Sequence, residues 1–136
     1  METVASFPKL KSVMYGHTFI PIPGLRILSH LSLLEKLVIC ERLTFENLME
    51  LGNRCKNLEI LELHNSGGRG MPSVALCSIL SHCKKLKCLR IPDFMGFGIV
   101  LKRFGPLSYL EELQVGISDK NCEIVAKALP NLRKLR

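Results

Sequence analysis

The chain has 136 residues, of which 47% are hydrophobic and 23% charged, an ordinary globular composition that excludes intrinsic disorder. No run approaches 18 apolar residues, and the N-terminus lacks a basic segment followed by an apolar one, so the sequence predicts neither a transmembrane helix nor a secretory signal. The formal charge of +7 favours acidic partners, although basic runs such as Lys84-Lys85 are too short for a nucleic-acid-binding tail. We therefore expect a cytoplasmic or nuclear protein that does not bind a membrane.

One phrase, Leu-x-x-Leu-x-Leu, recurs along the whole chain. Its copies, the first weak and the last truncated, begin at Leu10, Leu34, Leu58, Leu86, Leu110 and Leu132. Successive copies are separated by 24, 24, 28, 24 and 22 residues. A period in the twenties is typical of solenoids built from short supersecondary units, and about five to six units fit in this chain.

The first unit is irregular. Pro21 and Pro23 are incompatible with an early helix, so its helix is predicted to begin near Gly24. Residues 27–30, Ile-Leu-Ser-His, recur at 79–82 in the same phase of the repeat, which assigns His30 and His82 to structural positions.

The unit at residues 43–63 shows the local structure most clearly. Leu48, Leu51 and Cys55 follow the spacing of one helix face, and Thr44 precedes them as a candidate N-cap. Leu61 and Leu63 then alternate with other residues, which indicates a strand. Strands that are joined by helical crossovers pair in parallel. The prediction is an α/β fold, a curved solenoid with parallel strands on the concave face and helices on the convex face.

A glycine-rich segment, Ser-Gly-Gly-Arg-Gly at residues 66–70, lies between the third and fourth copies of the phrase. A phosphate-binding loop would need Lys-Ser/Thr after the last glycine, whereas Met71-Pro72 follows. The segment accounts for the longer step of 28 residues and is predicted to be a loop beside the concave face. Arg69 within it is a candidate partner contact.

Two departures from the pattern occur toward the C-terminus. The helix before Leu110 is shifted, and Leu101 and Phe104 are predicted to supply its buried side. The final copy stops inside a strand, at Leu135-Arg136, which predicts an incomplete C-terminal unit and an open end where copies could associate end to end. We treat residues 1–136 as a single domain.

Six cysteines and four histidines raise the question of zinc, but no Cys-x-x-Cys pair is present. Cys55 and Cys83 share one phase of the repeat and are predicted to point into the core as reduced thiols. The sequence also lacks a nucleophile elbow and a His-Glu-x-x-His motif. We therefore predict no catalytic residue, no metal site and no cofactor.

Residues 55–63 (Cys-Lys-Asn-Leu-Glu-Ile-Leu-Glu-Leu) and 83–91 (Cys-Lys-Lys-Leu-Lys-Cys-Leu-Arg-Ile) resemble the cysteine-containing class of leucine-rich repeat. Such repeats occur in F-box leucine-rich-repeat proteins, the substrate receptors of cullin-type ubiquitin ligases, and in ribonuclease-inhibitor-like proteins. The resemblance implies a scaffold for protein binding, although the chain holds no Leu-Pro-x-Glu opening and no Trp of an F-box. The alternatives are a stand-alone adaptor or inhibitor and, less favoured, a nucleic-acid-binding protein.

The residues between the strand leucines are predicted to face solvent on the concave side, where a protein partner would bind. Val38, Cys40 and Ile60 are expected to form an exposed apolar patch, and Glu62 is expected to pair with Arg90 across neighbouring strands. The candidate binding residues are Lys36, Val38, Cys40, Ile60, Glu62, His64, Arg69, Arg90, Glu112 and Gln114.

Overall fold

The computed structural model describes residues 9–15, 32–40, 43–64 and 73–136. Three of the predictions concern residues outside these ranges. They are the helix near Gly24, the structural position of His30, and the loop at 66–70 with Arg69 as a partner contact. Within the described part, the fold is α/β, with a six-stranded parallel sheet and four helices.

The strands lie in the sheet in the same order as in the chain, and every neighbouring pair is parallel. Their bounds are β1 Ser12–Tyr15, β2 Lys36–Ile39, β3 Ile60–Leu63, β4 Cys88–Ile91, β5 Glu112–Val115 and β6 Lys134–Leu135. The register places Leu37, Leu61, Leu89 and Leu113 beside one another. The alignment of strands predicted from the leucine phrase is therefore confirmed.

The same hydrogen-bond arrangement fixes this register at each strand entrance. The carbonyl of Glu35 accepts from the amides of Glu59 and Ile60, at 2.7 and 3.0 Å. The carbonyl of Glu59 accepts in the same way from Lys87 and Cys88, and the pattern holds from β1 to β6. A slip of one residue would exchange the two faces of a strand, so this pairing decides which side chains are buried.

The helices are α1 Phe45–Arg54, α2 Ser73–His82, α3 Phe97–Phe104 and α4 Asp119–Ala128. Thr44 caps α1 as predicted, since its side-chain oxygen accepts a hydrogen bond from the amide of Asn47 at 3.3 Å. Each helix contacts the next one along the chain. None of the helices in the described ranges is long and apolar enough to cross a membrane.

One continuous core joins the strands and helices. The first leucine of each clear copy of the phrase is completely buried, and the strand leucines and the inward residues of α1 to α4 pack in the same cluster. Leu101 lies in this core as predicted, together with Phe97 and Val100 from the same helix, whereas Phe104 is only partly buried and packs against it. The buried positions of this helix are thus offset along the sequence from those of the other helices, but its apolar side still packs in the core.

Gly52 allows α1 and α2 to approach closely. A Cβ atom at Gly52 would lie 3.0 Å from the amide nitrogen of Ile79 and 3.1 Å from its Cα. Because these atoms belong to the backbone of α2, they cannot move aside as a flexible side chain would.

We predict that Gly52→Ala lowers the free energy of unfolding by about 1 kcal/mol. The strain of overpacking, about 1–3 kcal/mol, exceeds the gain of about 1 kcal/mol in helix propensity. Asn53→Ala, one residue along the same helix and exposed, is the control and should leave stability unchanged or raise it by about 0.5 kcal/mol. Urea denaturation measures both, and stabilisation by Gly52→Ala would contradict the close contact.

Candidate protein-binding surface

Alternate strand residues form the side of the sheet that lies away from the helices, which we call the open face. It comprises Ser12, Met14, Lys36, Val38, Ile60, Glu62, Cys88, Arg90, Glu112, Gln114 and Lys134. Most of these side chains are partly accessible, whereas the residues between them are buried in the core. Apart from the exposed Met14 and the half-buried Ile60, its accessible side chains are polar, and each is fixed to a strand rather than to a loop.

Arg90 is the centre of a charge network on this face. Its Nη1 donates to Glu62 on β3, and its Nε and Nη2 donate to Oε1 of Glu112 on β5 at 3.0 and 2.8 Å. Lys134 Nζ lies 3.4 Å from the same Glu112 oxygen, and His64 Nε2 lies 3.3 Å from Oε2 of Glu62. The predicted pairing of Glu62 with Arg90 is confirmed, and the network extends it from β3 to β6.

The network changes the proton affinity of Glu112. Desolvation, the largest single influence, raises the pKa of this carboxyl group, but the hydrogen bonds and charges of Arg90 and Lys134 together lower it below its ordinary value of 4.5. The carboxylate is consequently charged at neutral pH and holds Arg90 in place.

Val38 was predicted to be exposed, and this prediction is wrong: its exposed fraction is 4%. The register places it between Met14 and Glu62, whose longer side chains flank it on both sides. Cys88, which the same alternation predicts to be exposed, is 7% exposed, between Ile60 and Glu112. Neighbouring strands lie about 4.8 Å apart, so long side chains shield short ones between them.

The other predicted binding residues within the described ranges occupy two kinds of position. Lys36 and Gln114 are half-buried on the open face at β2 and β5, and Ile60 is half-buried at β3. Cys40 and His64 follow the ends of β2 and β3 and are also half-buried. The structure thus brings the predicted strand residues onto one face, but it does not form an exposed apolar patch from Val38, Cys40 and Ile60.

A second accessible feature lies at the turns from helix to strand, and the sequence did not predict it. Residues just before and after the first leucines of the phrase line a groove of about 730 Å³, including Lys84, Lys85, Lys87, Tyr109, Leu132 and Arg133. We call it the turn groove. Its signal in the sequence is the run of basic residues at these phases, which the strand alternation does not reveal.

The buried cysteines have a structural role. Cys83 donates a hydrogen bond from its thiol to the carbonyl of Cys55 at 3.2 Å, and both side chains lie in the core as predicted. Burial raises the pKa of Cys55 to about 11, and burial followed by the nearby Cys55 raises that of Cys83 to about 12. Thiols with such pKa values are poor nucleophiles at neutral pH. Among the described residues, no group of histidine, cysteine and acidic side chains could hold a metal ion.

Comparison of the sequence with protein families and with curated proteins gives no match to either. The chemistry of the open face and the turn groove therefore provides the evidence on function.

We predict that Arg90→Met lowers the free energy of unfolding by about 1–2 kcal/mol at pH 7, because it removes the charged hydrogen bonds to both carboxylates and leaves Glu112 with Lys134 as its remaining cation. The methionine preserves much of the apolar stem. The pKa of Glu112 is lowered in the folded protein, so its stabilisation is complete above about pH 4.5 and is lost as the pH falls through the folded pKa. The difference between variant and wild type should consequently shrink at pH 3.5.

Lys134→Met provides the control, because Lys134 is nearly half-exposed and lies at the end of the network. It should cost less than about 0.5 kcal/mol. Urea denaturation of both variants at pH 7 and 3.5 measures these effects. Equal losses in the two variants, or a loss from Arg90→Met that does not change with pH, would contradict the central position of Arg90.

Proposed function

We propose that this protein is a protein–protein interaction module, a curved leucine-rich-repeat solenoid of about five to six units whose open face is the concave binding surface. The sequential parallel sheet with helices between its strands is compatible with that architecture. The observation that carries the proposal is the open face itself, which presents polar side chains at the fixed spacing of parallel strands.

Preorganisation supports a binding role for this face. The bridge from Glu62 through Arg90 to Glu112 fixes charged groups before a partner arrives. A surface whose side chains are already ordered loses less conformational entropy on binding. The face also mixes charged, amide and partly buried apolar groups, a composition suited to a non-obligate protein interface.

The resemblance to the cysteine-containing repeats leads to a more specific proposal. The chain acts as the substrate-recognition repeat region of an F-box-type ubiquitin ligase receptor. The alternative is a stand-alone adaptor or inhibitor of the ribonuclease-inhibitor-like kind. Both use the open face in the same way and differ in whether a ligase scaffold accompanies the protein.

Affinity capture with matched variants tests this proposal. The face variant is Lys36→Glu/Gln114→Lys, which changes two half-buried polar residues outside the Arg90 network. The control is Lys102→Glu/Asn53→Lys, which makes the same charge changes at exposed helix positions. We expect the face variant to lose the specific partners of the wild type, by about tenfold in affinity or about 1.4 kcal/mol, while the control retains them.

Identical partner lists for the wild type and the face variant would contradict a binding role for the open face. Cullin-type ligase subunits among the captured proteins would support the receptor form of the proposal. Specific partners without those subunits would support the adaptor form.

A further inference from the structure

Two grooves adjoin each other across the strand entrances of β3 to β6. The turn groove lies on the side of the helix-to-strand turns. A smaller groove of about 430 Å³, which we call the face groove, lies on the open face above Ile60 and Cys88. Both grooves are lined by the same four residues, which form a ridge between them: Glu59, Lys87, Glu111 and Arg133.

Two of the three carboxylates that line these grooves have cationic partners within the protein. Glu59 lies 3.1 Å from Lys87 Nζ, and Glu112 is held by Arg90 and Lys134. The negative charge of these two is therefore offset on the surface itself, whereas Glu111, the third, makes no ion pair with another described residue.

Two lysines of the turn groove are instead held by neutral groups. Lys85 Nζ donates to the side-chain oxygen of Asn57 at 2.7 Å. Lys84 Nζ lies over the rings of Phe104 and Tyr109, at 5.7 and 5.8 Å from their centroids. These contacts position the ammonium groups without cancelling their charge. The exposed Arg133 adds a further cation on the ridge.

The Tyr109 ring that helps to hold Lys84 is itself anchored. Its hydroxyl donates to the carbonyl of Leu80 at the end of α2, at 2.9 Å. Across the groove, Asn131 donates to the carbonyl of Ser108 at 2.6 Å. The wall of the turn groove is therefore tied to the backbone of neighbouring units, so its cations are presented on a fixed frame.

We propose that the two grooves together bind an extended acidic peptide segment of a protein partner. Carboxylates of the segment contact Lys84, Lys85 and Arg133 in the turn groove, and one apolar side chain packs on Ile60 and Cys88 in the face groove. Charge complementarity favours this occupant, because the turn groove is lined by four cationic side chains, Lys84, Lys85, Lys87 and Arg133, and by two carboxylates, Glu59 and Glu111. The inference rests on the proposed function and specifies the chemical class of the partner.

Selection from a random 12-residue peptide library displayed on phage, with the wild-type protein as bait, tests the proposal directly. We expect the enriched peptides to contain aspartate and glutamate on one side of an apolar residue. Fluorescence anisotropy of a labelled enriched peptide then gives its affinity, which should weaken as salt is raised from 50 to 300 mM, since exposed charge pairs are screened.

Variants locate the site. Lys85→Glu/Arg133→Glu reverses two exposed cations of the grooves and should weaken binding of the peptide at least tenfold. Lys102→Glu/Lys120→Glu makes the same change in net charge at exposed positions that line neither groove, and should stay within about twofold of the wild type. Replacing the apolar residue of the peptide by serine should weaken binding about tenfold, as expected for the loss of one buried side chain.

Enrichment of neutral or basic peptides would overturn the proposal, as would equal weakening by the two double variants. A 12-nucleotide single-stranded RNA that competes with the peptide and binds more tightly would also overturn it, in favour of nucleic acid. If the partners lost by the Lys36→Glu/Gln114→Lys variant are retained by Lys85→Glu/Arg133→Glu, the acidic-segment inference fails while the binding role of the open face stands.

Discussion

The fold depends on the parallel register that places the strand leucines side by side above the helices. Leu37, Leu61, Leu89 and Leu113 can be buried together only because each strand pairs with the next at the same phase. The paired amide donors at each strand entrance hold that phase. A one-residue slip would place Ile60, Glu62 and Arg90 against the helices, where the uncompensated charges would be costly.

The same register creates the surface chemistry. Since equivalent residues of neighbouring strands lie side by side, Glu62, Arg90 and Glu112 meet across three strands although they are far apart in the chain. Arg90 reaches both carboxylates because it lies on the middle strand and has a long side chain with several donors. Burial of the leucines thus fixes the geometry of a polar face that contributes little to the core.

Periodicity was enough to predict the strand alignment, the Thr44 cap and the Glu62–Arg90 pair, because each depends on sequence position alone. It did not predict the burial of Val38 and Cys88. The strand period of two residues assigns each side chain to one face of the sheet, but whether that side chain is covered depends on the length of its neighbours on the adjacent strands. The turn groove was also missed. Its walls come from the turns that precede successive strands, and Tyr109 reaches back to the Leu80 carbonyl across 29 residues.

Comparison of Leu61→Ala with Ile60→Ala tests most directly whether adjacent strand residues belong to opposite faces. Leu61 is 0% exposed in the core, whereas Ile60 is half-buried on the open face. We predict that Leu61→Ala lowers the free energy of unfolding by about 2–5 kcal/mol in urea denaturation, and that Ile60→Ala lowers it by about 1 kcal/mol. An equal loss in the two variants, or a larger loss for Ile60→Ala, would contradict the register on which both the core and the open face depend.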